Sequence, residues 1–451
     1  MKRWLPLAIA ASFFVVGPQL LIESAIYSRT VSIVGICLLL WISAIVPPFV
    51  PTLLLWALVP LFLAPIDQKF ALPHVMAWAV DPVMALFFGG FALGVATEQN
   101  GLATRLSRFA LKRSQGSYVS FLFLVILITA FFSMWISNIA AAALVFACLR
   151  PILAEFAESE ILRRVLLIGV AFGANFGGIA TPVGTGPNAI AIASLSTVQN
   201  ISFLRWMAFA FPLTLGMLLL SFLLLKWRVA KGDNAWKNKE GRLNDLVNKN
   251  EELPIDRVKQ MAFSVIFVGT AVLWLTEPLH KIPAAVVALA SAAALFLSRV
   301  LKRNDILKID WSTLLLIAGG ITLGRLLEQS AIIKDLAARF PFADLDPTLG
   351  LFLLCLTCAT LSAFMSNTAT VVLLIPLAST LIPSPSTAVL VAISASFGVP
   401  FIISTPANAM AFGQGGVRFG DMFWPGIFLM IIGCAIVGLT GRQVMSFVGI
   451  P

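Results

Sequence analysis

Charge is what this chain has least of. Only 12% of its 451 residues are Asp, Glu, Lys or Arg, against 59% hydrophobic residues. A soluble domain carries about 25% charged residues, so a water-soluble fold is excluded. Histidine is rarer still. His74 and His280 are the only two, and neither stands in a cluster of Cys, Asp or Glu, which excludes the usual metal centres. Five cysteines, Cys37, Cys148, Cys355, Cys358 and Cys434, sit mostly in apolar runs. The pair Cys355-x-x-Cys358 lies in LFLLCLTCATLS, without the strand-turn-helix context or electropositive neighbour of a redox motif. It reads as small packing residues on a helix. The net charge of +10 comes with no nucleic-acid module. It reads as loop Lys and Arg facing an anionic lipid leaflet.

What fills the chain is hydrocarbon. Many windows exceed the roughly 18 apolar residues that cross a bilayer. Spans are predicted at 5–22, 30–47, 49–66, 81–98, 204–226, 260–276, 281–301, 310–328 and 421–445. The N-terminal MKRWLPLAIAASFFVVG resembles a signal peptide but lacks a clear cleavage site, so it reads as a retained helix. Two amphipathic stretches, 101–116 and 330–342, are predicted to lie at the interface. Residues 227–259 form the one clearly polar loop, a solvated linker.

Four further stretches are apolar but interrupted. Residues 118–154 carry SMWISN, Ser133 to Asn138, near their middle, and 348–382 carry SAFMSN, Ser362 to Asn367. Both read S-x-x-x-S-N, at an offset of 229 (367 − 138). A straight span would expose these groups to lipid. A re-entrant hairpin puts them inside protein. Residues 164–198 contain GGIATPVGTGPN and 386–414 contain ISTPAN, runs of Gly and Pro that cannot sustain a helix. These predict two broken helices. The repeat extends to Gly89-Gly90 and Gly319-Gly320, and to Glu98-Gln99 and Glu328-Gln329, each at an offset of 230 (319 − 89). The Gly-Gly pairs are expected to allow close helix packing.

The chain is therefore expected to be an all-α polytopic membrane protein. It should have about 11 transmembrane helices, two re-entrant hairpins and two broken helices in an inverted-topology repeat. The expected divisions are an N-terminal helix (1–29) and a first repeat (30–226), holding frame helices (30–98) and a hairpin with a broken helix (117–198). A cytoplasmic linker (227–259) and a second repeat (260–451), with its hairpin and broken helix at 347–414, complete them. Five Lys/Arg clusters, from Lys2-Arg3 to Arg299–Lys308, should face the cytoplasm. That threads the N-terminus inside and the C-terminus outside. One hairpin then enters from each side, and the tips meet near the midplane.

Hairpin tips expose carbonyls at one helix end and amides at the next. Carbonyl, Ser and Asn oxygens suit Na⁺, and helix N-termini suit an anion. Gly184 to Asn188 and Ser404 to Asn408 would supply the complementary walls. The pattern predicts two cation sites flanking one anion, the cations offsetting the cost of desolvating it.

These motifs, Ser137-Asn138-Ile139, Ser366-Asn367-Thr368, Gly184-Thr185-Gly186-Pro187-Asn188 and Ser404-Thr405-Pro406-Ala407-Asn408, resemble the divalent anion:sodium symporter family. The likeness runs from about residue 30 to 445. It implies one Na⁺ near Ser133, Ser137, Asn138 and Gly184, and another near Ser362, Ser366, Asn367 and Ser404. It implies substrate contacts from Asn138, Thr185, Asn367, Thr368, Thr405 and Pro406. It also implies a homodimer, a cytoplasmic (inner) membrane location and elevator-type movement. Ile139 stands where the family usually has Thr, and Gly186 and Ala407 replace prolines. The expected function is secondary active transport of a divalent anion, a dicarboxylate such as succinate or malate, or sulfate, coupled to Na⁺ and needing no other cofactor. A Na⁺-independent anion exchanger of the same fold is the alternative. An intramembrane enzyme is disfavoured, because no nucleophile–base pair is visible. Proton coupling is disfavoured too, since the tips carry no Asp or Glu.

Overall fold

The computed structural model describes residues 24–43, 45–100, 109–114, 117–195, 201–229, 257–330, 332 and 346–449. The expected first helix, most of both amphipathic stretches and most of the linker lie outside the described residues. Among the described residues every regular element is helical. Five helices among these residues are long and apolar enough to cross a membrane, or six if α3 (Leu72–Ala79) and α4 (Pro82–Gln99), which bend by 48° at Val80-Asp81, form one span.

The predicted breaks fall where Ser/Asn and Gly/Pro interrupt the apolar runs. The first hairpin is α5 (Tyr118–Ser133) and α6 (Asn138–Ala154), and the second is α14 (Pro347–Phe364) and α15 (Asn367–Leu381). A helix of 16 residues such as α5 is about 24 Å long, short of the ~30 Å hydrocarbon core. At 15 to 17 residues α5, α6 and α15 are too short to cross it, whereas α14, at 18 residues, is one of the five counted above. The first broken helix is α7 (Ile161–Gly177) and α8 (Gly186–Leu195), and the second is α16 (Pro385–Ala395) and α17 (Pro406–Gly413). Arg163, at the start of α7, donates from Nη2 to Gln414 O just past α17, at 2.6 Å. The start of one broken helix thus meets the end of the other. This is the contact expected of two inverted repeats, whose broken helices would run antiparallel.

The frame helices interlock the halves. Gly89 of α4 lies against Ala288 of α12 (Ala284–Leu297), and a Cβ there would strike the Ala288 backbone. Gly319 of α13 (Trp311–Gln329) lies against Thr52 of α2 (Val50–Leu63), whose hydroxyl donates to Leu315 O at 2.9 Å. Each Gly-Gly pair seats a helix of the other half, as close packing requires. The frame is completed by α1 (Ala25–Ser43), α10 (Arg257–Leu275) and the short α11 (Glu277–His280).

Charges gather at one end. Asp421, at the start of α18 (Phe419–Phe447), pairs with Arg164 of α7 at 2.9 Å and with Arg228 of α9 (Phe203–Val229) at 3.4 Å. At the same kind of boundary Asp305 accepts from Gln99 (2.8 Å) and Lys308 (2.9 Å). Burial alone pushes its carboxyl up. The Lys302 amide, Lys308 and Gln99 outweigh that and hold it below the ordinary carboxylate range.

Some expectations needed correction. Helices α9 and α10 run three residues into each side of the predicted 227–259 linker. The short α3 and α11 were not predicted at all. His280 is a local brace: its Nε2 donates to Leu273 O at 2.8 Å and its Nδ1 accepts the Ile282 amide at 3.0 Å. Among the described residues no cluster of His, Cys, Asp or Glu could hold a metal ion. Cys355 and Cys358 are buried free thiols packed on α16, Cys358 pointing at Val391 O.

Candidate functional site

Each hairpin tip is built the same way. Ser137 and Ser366 are the helix N-caps, their hydroxyls accepting the Ala140 and Ala369 amides at 3.3 and 3.5 Å. The next residue, Asn138 or Asn367, opens the returning helix. One turn earlier Ser133 and Ser362 close the incoming helix, and both are fully buried. Ser133 Oγ lies 2.7 Å from Asn138 Oδ1 and 2.6 Å from Ala174 O. Ser362 Oγ lies 2.7 Å from Asn367 Oδ1 and 2.7 Å from Ala395 O. Ala174 and Ala395 sit in the last turns of α7 and α16, where carbonyls lose their helical partners.

These are rings of oxygen. A hydroxyl has one proton and cannot donate to two acceptors. Around Asn138 the crowding is greater, because Ser133 Oγ (2.7 Å), Gly184 O (3.2 Å) and Ala174 O (3.3 Å) all face one branch of its amide. That branch must be the NH₂, or the oxygens must share a cation.

The breaks are tied by two matching asparagines. Asn188 Nδ2 donates to Gly178 O (3.0 Å) and Thr181 O (2.8 Å). Asn408 Nδ2 donates to Val399 O (2.9 Å) and Phe401 O (2.9 Å). Both amides spend their protons on carbonyls that the broken helix leaves without partners. They hold the loops open in a defined shape.

The two halves converge on the first loop. Asn138 of the first tip packs on Gly178 and reaches Gly184 O. Thr368 of the second tip lies against Gly186, where a Cβ would come within 3.1 Å of the Thr368 methyl. Thr185 stands between these two contacts, half-buried. Asn175 of α7 donates to Asn408 Oδ1 at 2.9 Å, crossing between the halves. Phe176 and Phe397, one residue past Asn175 and Ser396, meet with ring centroids 6.3 Å apart.

The expected residues are thus brought together unevenly. Ser133, Asn138 and Gly184 form one ring, and Ser362 and Asn367 with Ala395 the other. Ser404 instead donates to Phe401 O at 2.6 Å, within its own loop. Thr405 is an N-cap, accepting the Asn408 amide at 3.2 Å, and Pro406 is exposed on the first turn of α17. Ser137 and Ser366 are likewise engaged as caps.

A chain with paired oxygen rings at re-entrant tips has known relatives. The profile of a family described as citrate transporter matches residues 36–390. The chain belongs to this citrate transporter family. An uncharacterized transporter of Methanocaldococcus jannaschii is 32% identical over 328 residues, covering 70% of this chain and 72% of that one. A sodium-dependent dicarboxylate transporter of Staphylococcus saprophyticus is 22% identical, covering 89% and 82%. The fold is similar to the Alcanivorax borkumensis YdaH transporter, with a TM-score of 0.55, 12% identity, and 88% and 99% coverage. The expected place among the divalent anion:sodium symporters is borne out. The protein is an integral membrane transporter of the citrate/dicarboxylate family, not an enzyme.

Within this citrate-family transporter, Gly186 has a use that its departure from proline hid. It gives Thr368 room to reach the first loop. Four residues escaped sequence reasoning: Asn175, Ala174, Ala395 and Ser396. Asn175, in AFGANFGG, is a lone amide in an apolar run, and that was the one available signal. Ser396 is its repeat counterpart, as Asn188 is that of Asn408. Ser396 Oγ, Asn188 Oδ1 and Asn175 Oδ1 are all buried without a protein partner, and the bond between the halves runs only from Asn175 Nδ2 to Asn408 Oδ1. Serine is shorter than asparagine, and the second crossing bond is not made.

Proposed function

We propose that the protein carries a small divalent anion, a dicarboxylate such as succinate or malate or else sulfate, together with Na⁺ across the cytoplasmic membrane. The observation that carries this reading is the pair of matched oxygen rings at the two converging tips. A cation in the first ring would draw Asn138 Oδ1, Ser133 Oγ, Ala174 O and Gly184 O to itself, as carbonyl and side-chain oxygens replace a hydration shell. That turns the Asn138 NH₂ away from the ring and towards the anion. With the ion gone, the NH₂ turns back to satisfy the same oxygens. Ion and anion are then coupled through one amide. The second ring, with Ser362, Asn367 and Ala395, works alike. Thr185, Thr368, Thr405 and the amides opening α6, α8, α15 and α17 receive the anion's oxygens. Pro406 shapes the rim.

The Arg164–Arg228–Asp421 end faces the cytoplasm, which puts the N-terminus inside and the C-terminus outside. The two hairpins, the two broken helices, α9 and α18 move as one body against the frame helices α1–α4 and α10–α13, in an elevator-type cycle. Only 17% of the membrane window of α10 is buried. Its outer face suits a dimer contact with a second copy.

Reconstituted protein tests this. Uptake of labelled succinate, malate or sulfate into proteoliposomes should rise with an inward Na⁺ gradient. Asn138→Ala or Asn367→Ala should lower it by at least tenfold, the loss of more than 1.4 kcal/mol. Uptake indifferent to Na⁺ but stimulated by internal anion would select the exchanger instead.

A further inference from the structure

A second polar feature lies about three turns away from the hairpin tip. A cavity of about 380 Å³ opens between α8, α13 and α15, within the range of small-molecule sites. Ser194, Ser379 and Thr380 supply hydroxyls to it, and Arg325 supplies a full positive charge. The Arg325 side chain is 29% exposed, and its Nη1 lies 3.2 Å from Glu328 Oε2, a carboxylate that is itself 62% exposed.

The cavity is aligned with the candidate site. Thr368, against Gly186, opens α15. Val372, one turn on, is pressed onto Gly320 of α13, and Ile190 of α8 closes the same contact at 3.3 Å from a Cβ at Gly320. Beyond that constriction α15 lines the cavity with Ile375, Pro376 and Ser379. From Thr368 to Ser379 the helix rises about 16 Å. The three elements all reach the cavity with their C-terminal ends, away from the Asp305 cluster that precedes α13. On the sidedness proposed above, the cavity opens outward. The repeat counterpart of Arg325 is Val95, so the charge stands on one side only.

We propose that this cavity is an entry site for the transported anion. Arg325 grips one carboxylate or oxyanion edge with its guanidinium fork, and Ser379 donates to it, while Ser194 joins only by releasing Ala191 O, to which it donates at 2.8 Å. The anion then passes the Gly320–Val372–Ile190 constriction to Thr368 and Thr185. Glu328 is the competitor. It holds Arg325 when no anion is present, and an exposed pair of this kind is weak enough to yield. The headgroup of an anionic lipid has the same chemistry, and the choice of vesicle separates the two. The inference rests on the transport reading of the preceding subsection.

The test is initial uptake of labelled succinate and sulfate by the full chain, measured from both faces of proteoliposomes made of phosphatidylcholine with or without phosphatidylglycerol. Arg325→Gln should raise the half-saturating anion concentration at the outer face at least tenfold, with the maximal rate within twofold and the inner face unchanged. Arg325→Lys should fall between. Glu328→Gln should lower the same constant severalfold, and this variant carries the test if Arg325→Gln fails to fold. An unchanged constant in these variants, or equal changes at both faces, overturns the entry site while leaving transport standing. An effect seen only with phosphatidylglycerol assigns Arg325 to lipid and also overturns it. Wild-type protein that moves neither anion overturns the transport reading and this inference with it.

Discussion

At the scale of single residues, Ile139 is where the first tip departs most from the second. Its counterpart Thr368 is nearly buried, 9% exposed, whereas Ile139 is 45% exposed at the first tip. A hydroxyl to a charged partner is worth about 1.5–3 kcal/mol. Ile139→Thr should therefore tighten dicarboxylate binding by tenfold or more, read as the half-saturating concentration for uptake. No change would mean that the first tip does not face the anion. The side-chain oxygens of the rings were legible in the sequence, because Ser133, Asn138, Ser362 and Asn367 are polar residues in apolar runs. The carbonyls of Ala174 and Ala395 were not, since a backbone oxygen leaves no mark in residue identity, and Gly184 was reached only through the family resemblance. Nor does a sequence distinguish a serine that caps a helix, as Ser137 and Ser366 do, from one that faces an ion.

At the scale of elements, the interruptions were legible and the tie-points were not. Gly and Pro in GGIATPVGTGPN and Ser/Asn at the tips announce where helices stop. The bond between Asn175 and Asn408 joins groups 233 residues apart, which no local pattern encodes. The short α3 was missed because eight residues between Ala71 and Val80 show no helical periodicity long enough to read. The turn before α13 carries its own test. Asp305 holds Gln99, at the end of α4, to the segment Arg303–Lys308. Its carboxyl titrates below the ordinary range, so its stabilisation is full above the unfolded carboxylate value of about 4. It is lost as pH falls through the folded value. Asp305→Asn should lower stability at pH 7 by on the order of 1–3 kcal/mol, and the gap to wild type in a thermal melt should narrow towards pH 3–4. A gap that widens in acid would contradict this.

At the scale of the whole molecule, the elevator reading requires the hairpins to travel past the frame. The first hairpin now leans on it. Trp135 stacks on Trp274 of α10 with centroids 6.0 Å apart, and Phe203 lies 4.6 Å from the same ring. Joining positions 135 and 274 with a short thiol cross-linker, through Trp135→Cys and Trp274→Cys in a background without the five native cysteines, should stop transport. Cleaving the link should restore it. Full transport by the cross-linked protein would show that this contact need not open.

The central claim is that both tips hold Na⁺ in rings of oxygen and that the anion binds through them. It is tested most directly by titrating Na⁺ into the purified protein at fixed anion concentration and reading anion binding by calorimetry, in wild type, Ser133→Ala and Ser362→Ala. Binding that depends cooperatively on Na⁺ in wild type, and that loses its cooperativity in each variant, is the predicted result. Anion binding that ignores Na⁺, or that both variants leave as it was, would contradict the claim.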